Sequence, residues 1–268
     1  MWVFRLCLTM SLLLSTGFVT AADFATGYKA YQDGDYTTAL NELLPLAEQG
    51  DFNSQFFVGF IYDNGDGVPA NKAKAVKWYT KAAEQGLSLA QYRVGTFYDS
   101  GDGVLENDKT AVKWFTLAAE QGYASAQYKL GMMYSRGEGV LSDHKTSAKW
   151  LYLAADQGHA DSQFYLGYKF KYGRGVQQNS KAWVKWHTKA AEQGHAEAQY
   201  MLGFMYWNGE GVLTDYARAY MWFNLSAYND HGEGAMEKDE IAKVMSSSQI
   251  AKAQEMSAVC LQSGYTDC

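Results

Sequence analysis

The feature that most constrains the fold is a sequence repeat with a period of 36 residues. The tripeptide Glu-Gln-Gly occurs four times and Asp-Gln-Gly once, and their glycines follow one another at this spacing without an insertion. These glycines are Gly50, Gly86, Gly122, Gly158 and Gly194. Paired glycines in loops such as YDNGDGV (62–68) keep the same spacing. A strict period of about 20 to 50 residues indicates a solenoid, in which each unit packs against its neighbours.

Each period predicts two helices. The first helix follows an Asn or Asp in every copy, and these side chains accept hydrogen bonds from the free N–H groups of a first helical turn. The predicted N-caps are Asp35, Asn71, Asn107, Asp143, Asn179 and Asp215. The Gln-Gly glycine ends the first helix and the first loop glycine ends the second, because glycine adopts the left-handed conformation easily. We therefore expect an all-α fold, a right-handed α-solenoid of stacked helix pairs.

The acidic glycine loops raise the question of calcium or phosphate binding. A calcium loop needs oxygen ligands at alternating positions and a Glu at position twelve. Counted from Asp63, the third, fifth and twelfth positions are Gly65, Gly67 and Lys74. A phosphate loop follows a strand, whereas these loops follow predicted helices. In the fourth copy Arg174 replaces the acidic residue. We interpret the loops as helix ends and turns, and we expect no cofactor.

Residues 1–22 differ from the rest of the chain. One arginine precedes an apolar run of 14 residues, LCLTMSLLLSTGFV, and small residues follow it. A membrane anchor is the alternative, but a spanning helix needs about 20 apolar residues. The segment therefore predicts a cleaved signal peptide and an exported protein, periplasmic in the first instance and otherwise secreted.

The net charge of the chain is −6, and the loss of Arg5 with the signal makes it one unit more negative. A nucleic-acid or anionic-membrane partner needs a basic surface, so the charge argues against both classes. Cys260 and Cys268 are the cysteines that follow the signal segment. In an exported protein a close pair of this kind is expected to form a disulfide, and two free thiols at a frayed end are the alternative.

The repeat unit A-x-A-Q-Y-x-x-G-x-x-Y-x-x-G-x-G-V, followed by A-x-x-W-x-x-x-A-A-E-Q-G, resembles the Sel-1-like repeat, a relative of the tetratricopeptide repeat. Residues 23–50 resemble the start of a tetratricopeptide-like helix pair, and residues 231–268 resemble a C-terminal helical cap. The fifth copy ends in NDH (229–231) instead of EQG. The five copies span 51–86, 87–122, 123–158, 159–194 and 195–230.

The resemblance implies a function class and no particular reaction. Members of this family are adaptors or scaffolds, and exported bacterial members are regulators, envelope-assembly factors or host-contact proteins. Stacked helix pairs form an extended concave surface that suits a protein or peptide partner. We therefore expect a non-catalytic scaffold that holds such a partner on its concave face.

An enzyme is the alternative, because a cysteine-rich branch of the family is linked to β-lactam binding and hydrolysis. That branch carries a disulfide in each repeat, whereas these five copies contain no cysteine. The one Ser-x-x-Lys, Ser142 to Lys145, lies where a helix N-cap is predicted, and Ser and Asp are common there for structural reasons. We expect no catalytic residue.

Histidines recur at one position of the repeat, at His159, His195 and His231. Successive repeats lie about 10 Å apart, the distance between packed helices, whereas zinc ligands lie at about 2.0–2.1 Å from the ion. The column therefore predicts no metal site. We interpret His144 and His187 as surface or groove residues.

Tryptophan also recurs at one position of the first helix. These side chains either pack in the core or form a ladder that lines the groove. The core is favoured, because aromatic stripes at helical spacing usually pack. The column consists of Trp78, Trp114, Trp150, Trp186 and Trp222.

Two residues depart from the repeat pattern in the fourth copy. Trp183 occupies a column that otherwise holds Ala or Ser, and Lys169 occupies a column of apolar residues. Either the solenoid bends so that the changes compensate, or an indole stays partly exposed as an anchor for a partner. Interface hot spots are enriched in Trp, and departures from local rules cluster at functional sites. Together with His187 and Trp186, these residues are the candidate partner-binding site.

Overall fold

The structure is a computed structural model that describes residues 23–268. The predicted signal peptide, residues 1–22, lies outside the described residues. Residues 23–268 form fourteen α-helices joined by short loops, which confirms the all-α prediction. The helices are α1 Phe24–Gln32, α2 Tyr36–Gln49, α3 Phe52–Asn64, α4 Lys72–Glu84, α5 Ser88–Ser100, α6 Asp108–Glu120, α7 Ala124–Arg136, α8 His144–Asp156, α9 Ala160–Tyr172, α10 Ser180–Ala191, α11 Ala196–Asn208, α12 Tyr216–Tyr228, α13 Gly232–Ala242 and α14 Ser247–Gln262.

The six predicted Asn and Asp caps are confirmed. Each accepts a hydrogen bond from a backbone N–H in the first turn of the even-numbered helix that follows, from α2 to α12. At the other end of α6, Gly122 has a φ of +87°, the left-handed conformation expected for the Gln-Gly glycine. The loop glycine Gly139 also has a positive φ, and a Cβ there would lie 2.5 Å from the Asp108 carbonyl carbon and oxygen. The second loop glycine therefore lets each loop approach the preceding repeat.

The helices pack in chain order. Consecutive helices contact one another from α1 through α13, and α14 packs against α12. The five predicted repeats correspond to the pairs α3–α4 to α11–α12, with α1–α2 in front and α13–α14 behind. Small alanines line the packing surface, and Ala75, Ala111 and Ala219 are fully buried. Helices approach closely where side chains are small, so the alanines account for the tight stacking.

A ladder of buried glutamines joins the repeats. The side-chain amide of Gln127 in α7 donates to the Ala119 carbonyl at the end of α6, at 3.0 Å. Its side-chain oxygen accepts a hydrogen bond from Gln157, at the end of α8 in the same repeat, so the bond to Ala119 is the one that joins two repeats. Every repeat has the same pair of bonds, through Gln55, Gln91, Gln127, Gln163 and Gln199. The ladder satisfies polar groups that the stacking of helix ends would otherwise leave unpaired.

The histidine column serves the contact between repeats. His159 stacks on Tyr128 of the preceding repeat with ring centroids 4.9 Å apart, and His195 stacks on Phe164 at 4.7 Å. Both rings also cap the following helix by accepting a backbone N–H at Nδ1. Burial lowers the pKa of His159, so its ring is neutral at physiological pH.

The C-terminal segment folds back onto the last repeat. Cys260 is buried in α14, and the Tyr265 hydroxyl donates to the Asn229 side-chain oxygen at 2.9 Å. The Cα atoms of Cys260 and Cys268 lie 4.7 Å apart, and their sulfur atoms are placed in bonding contact. That separation lies in the range of disulfides, so the pair is positioned for the predicted bridge. None of the helices within residues 23–268 has the length and apolar character to span a membrane.

Candidate partner-binding groove

A row of three cavities lies between successive odd-numbered helices. The first, of about 290 Å³, lies between α3 and α5; the second, of about 190 Å³, between α5 and α7; the third, of about 270 Å³, between α7 and α9. The second and third cavities share Met132 and Arg136 of α7. We call this row the odd-helix groove. Its length over four helices suits an extended chain better than a small molecule.

The first two cavities carry paired charges. In the first, Lys72 Nζ lies 2.6 Å from the Asp63 carboxylate, which also accepts from the Tyr79 hydroxyl. In the second, Lys129 Nζ lies 2.9 Å from the Asp99 carboxylate. Each of these two cavities is lined by as many acidic as basic side chains, so both are close to neutral.

The third cavity is lined by aromatic and basic side chains. Tyr165, Tyr168 and Tyr172 project from α9 at the spacing of successive turns, and Met132 and Leu151 complete the apolar part of the wall. The polar lining residues are Ser135, Arg136, Lys169 and Arg174. Burial raises the pKa of Tyr168 to about 12, so its hydroxyl is neutral and can donate or accept a hydrogen bond.

Lys169 is the unusual group of this cavity, because only 6% of its surface is exposed. Its Nζ donates to Ser135 Oγ at 2.9 Å and lies 3.4 Å from His144 Nδ1. Within residues 23–268 no carboxylate lies within salt-bridge distance of this nitrogen. Burial, with Arg174 as a second positive charge, lowers the pKa of Lys169 to about 8. A buried lysine without a negatively charged partner is costly unless an anion joins it.

A separate cavity of about 320 Å³ lies beside α8. Its lining includes Tyr152, Leu153, Leu166 and Phe170 and is largely apolar. It shares no lining residue with the three cavities of the odd-helix groove.

The prediction of an exposed indole at position 183 is wrong. Trp183 is 4% exposed and packs in the core cluster that contains Phe164, Leu202 and Met205. Lys171 Nζ lies 4.3 Å from the centre of its ring and covers it from solvent. The core around the indole has repacked, which is the compensating outcome of the two considered for this position.

His187 and Trp186 are also core residues. His187, expected at the surface or in the groove, is fully buried, and burial lowers the pKa of its ring to about 3. Trp186 is 5% exposed and packs with Leu151 and Leu166. Of the four candidate residues, only Lys169 reaches a cavity of the odd-helix groove. Lys169 turns toward α7 and α8, whereas Trp183 packs toward α11, so the two departures do not form one site.

The tryptophan column packs against the core, as favoured from its spacing. Trp222 is buried like Trp186. The other three, Trp78, Trp114 and Trp150, are half-buried, and each packs against a core cluster of its repeat stack. All five lie on even-numbered helices, away from the odd-helix groove.

Several lining residues were not identified from the sequence as parts of a site. The signal for Arg174 is its replacement of an acidic residue in one copy of the loop. The signal for the tyrosines is their spacing at positions 165, 168 and 172, which places them on one face of a helix.

Ser142, the serine of the Ser-x-x-Lys, donates to the Ser135 carbonyl at 3.3 Å, and Lys145 is exposed in the first turn of α8.

Comparisons with known proteins agree with the repeat. The Sel1 repeat profile matches five segments, 53–87, 88–123, 124–159, 160–195 and 196–231. A Sel1 repeat protein from Oxalobacter formigenes is similar at 34% identity and a TM-score of 0.74, over 77% of this chain and 85% of that one. No curated protein matches the chain.

A second solved structure is that of c5321, a protective antigen present in uropathogenic Escherichia coli strains that displays an SLR fold. It is 34% identical with a TM-score of 0.80, over 88% of this chain and 53% of that one. The chain therefore spans about half the length of c5321. Because the profile covers more than half of the chain and the architecture is the same, the chain belongs to the Sel1 repeat family.

Proposed function

We propose that the protein is an exported, non-catalytic scaffold that holds a protein or peptide partner in the odd-helix groove, with a regulatory, envelope-assembly or host-contact role. Sel1 repeat proteins are generally protein-interaction scaffolds. The row of three cavities over α3, α5, α7 and α9 is the single observation that carries the location. The proposal of export is based on the composition of residues 1–22. Binding of the partner needs no cofactor.

The groove can be blocked with little risk to the fold. Ser100 is exposed at the end of α5 and lines the first cavity. The equivalent position of the fourth copy holds Tyr172, so an aromatic side chain is compatible with this position. Ser100→Trp would fill the groove, and Lys113→Trp, at an exposed position of the even helix α6, is a matched control.

The test is affinity capture with residues 23–268 as bait from the organism that exports the protein. We expect a reproducible protein partner with the wild type and with Lys113→Trp, and a loss of that partner with Ser100→Trp. Equal capture by all three baits would refute the groove as the binding site. A signal peptide cleaved within residues 1–22 should be visible as the N-terminus of the exported protein, and an intact N-terminus would refute export by this route.

A further inference from the structure

The third cavity differs in charge from its two neighbours. The cations Lys72 and Lys129 each meet a carboxylate in their own cavity. In the described part of the chain, residues 23–268, Lys169 and Arg174 meet no carboxylate, although both line the cavity between α7 and α9. Arg136 at the same cavity is held by Glu138 at 3.6 Å. Two cations without a counter-charge therefore share one space.

The fold does not require either cation. The positions equivalent to Lys169 hold Ile61, Phe97, Met133 and Met205 in the other four copies. The positions equivalent to Arg174 hold Asp66, Asp102, Glu138 and Glu210. One copy has thus replaced an apolar core residue and a loop acid by two bases that face the same cavity. Burying a base where the other copies hold an apolar residue lowers stability. Departures from the repeat pattern that lower stability are characteristic of functional sites.

The walls of the cavity define the ligand further. Three tyrosines, Met132 and Leu151 provide apolar surface around the cations. The neighbours of Lys169 Nζ, Ser135 Oγ and His144 Nδ1, carry no negative charge and leave its positive charge uncompensated. A short anionic group on an apolar stem fits such a lining, because the stem can pack on the tyrosines while the charge meets the two bases.

We propose that this cavity binds the carboxylate of a Glu or Asp side chain carried by a peptide strand that lies along the odd-helix groove. Lys169 and Arg174 are the cations that receive the carboxylate, and Tyr165, Tyr168 and Tyr172 pack on its stem. This assignment rests on the proposed function, since it names the chemistry of the partner in the same groove.

The groove favours a side chain over a chain terminus as the source of the carboxylate. The third cavity shares Met132 and Arg136 with the second, so a bound strand continues past it. A phosphate polymer is disfavoured because the chain carries a net charge of −6, and only one of the three cavities has more basic than acidic lining residues.

The test is selection of a phage-displayed library of random 12-residue peptides on residues 23–268. Displayed peptides of this design have no free C-terminus, so a terminal carboxylate cannot contribute. The variants are Lys169→Met, which introduces the residue found at this position in two other copies, and Arg174→Glu, which introduces the loop acid. Lys109→Met, at an exposed position of α6, is the control with the same loss of charge.

We expect selected peptides to share one Glu or Asp position. Replacing that residue by Gln or Asn in a synthetic, amidated peptide should weaken binding about tenfold or more, since a charge-assisted hydrogen bond is lost. Lys169→Met and Arg174→Glu should weaken the parent peptide by a similar factor and abolish the difference between the two peptides, whereas Lys109→Met should bind as the wild type does.

Other outcomes separate this inference from the proposed function. In one outcome the selected peptides compete with one another and lose binding to Ser100→Trp, but they share no acidic position. This outcome would overturn the inference and support the groove as the binding site. An acidic position that is unaffected by Lys169→Met and Arg174→Glu would also overturn it. Displacement of the peptide by a nucleic acid would assign the cavity to another ligand and would overturn the inference. Failure of the wild type to select any peptide would overturn the inference, whereas the capture experiment with Ser100→Trp decides the proposed function.

Discussion

Gln157 donates a hydrogen bond of 2.8 Å to the side-chain oxygen of Gln127, 30 residues earlier in the chain. Because the Gln127 amide also donates to the Ala119 carbonyl, one buried side chain ties the end of a helix to the next repeat. The same relationship recurs in the other repeats, with Asn229 as the donor in the fifth, and it gives the Gln of the Gln-Gly pair a physical role. The hydrogen bonds of the glutamine ladder therefore recur with the 36-residue period of the sequence.

Gln127→Leu should therefore destabilise the protein by about 1–3 kcal/mol, because the Ala119 carbonyl and the Gln157 amide lose a buried partner. The measurement is the free energy of unfolding in urea. Gln177→Leu is the matched control, since Gln177 is exposed and leucine occupies its position at Leu105, Leu141 and Leu213. Equal stability of the two variants would contradict a structural role for the ladder.

Two glycine-to-alanine substitutions should lower the stability of the protein by different amounts. Gly122→Ala meets open space, so only its positive φ is penalised, and we expect a loss of about 1 kcal/mol. Gly139→Ala has the same conformational penalty and also meets the Asp108 backbone, so it should cost about 1–3 kcal/mol more. Thermal unfolding of the two variants side by side measures the difference. A Gly139→Ala variant as stable as Gly122→Ala would show that the loop does not press on the preceding repeat.

His187→Phe should stabilise the protein. His187 Nε2 is buried and has no hydrogen-bond partner among residues 23–268, and Phe115 and Phe223 occupy the equivalent position in two other copies. The pKa of His187 is lowered to about 3 in the folded state, against about 6.5 in the unfolded chain, so the unfolded state binds more protons between these values. Wild-type stability therefore falls as the pH drops from 6.5 toward 3, and the variant lacks this loss.

The stabilisation by His187→Phe should be about 2 kcal/mol larger at pH 5 than at pH 7, as the lowered pKa requires. Urea unfolding of both proteins at these two pH values gives the comparison. Parallel pH dependence in the two proteins would mean that the imidazole is protonated in the folded state and is not held neutral by burial.

The cysteine pair should be oxidised in the exported protein. A bridge between Cys260 and Cys268 closes a loop of about nine residues, for which loop entropy predicts roughly 2.5 kcal/mol of stabilisation. Intact mass should be about 2 Da below that of the reduced chain, as loss of two hydrogens requires. Cys260→Ala should lower the melting temperature while leaving the odd-helix groove unchanged, because α14 packs on α12 and not on α7 or α9. Two titratable thiols in the purified exported protein would rule out the bridge.

The repeat made most of the fold predictable. Caps at positions such as Asn107 and helix ends at glycines such as Gly122 follow from local chemistry, so the sequence alone places the helices. Where a side chain that departs from the repeat pattern would lie was harder to predict. Trp183 and Lys169 both depart from the repeat pattern. The indole packs in the core, whereas the lysine turns toward Ser135 and lines a positively charged cavity. That choice depends on which neighbouring helix offers space, and no single copy of the repeat contains this information.

The central claim is that the partner lies in the odd-helix groove, and site-specific photocrosslinking tests it most directly. Tyr172 lines the third cavity of the groove, and Tyr152 lies beside the separate cavity on α8; both are about half exposed, at 54% and 48%. Each would be replaced in turn by a benzophenone amino acid and irradiated with the captured partner. A crosslink from position 172 and none from position 152 is the predicted result. A crosslink from position 152 alone would contradict the account and place the partner on the even-numbered helices.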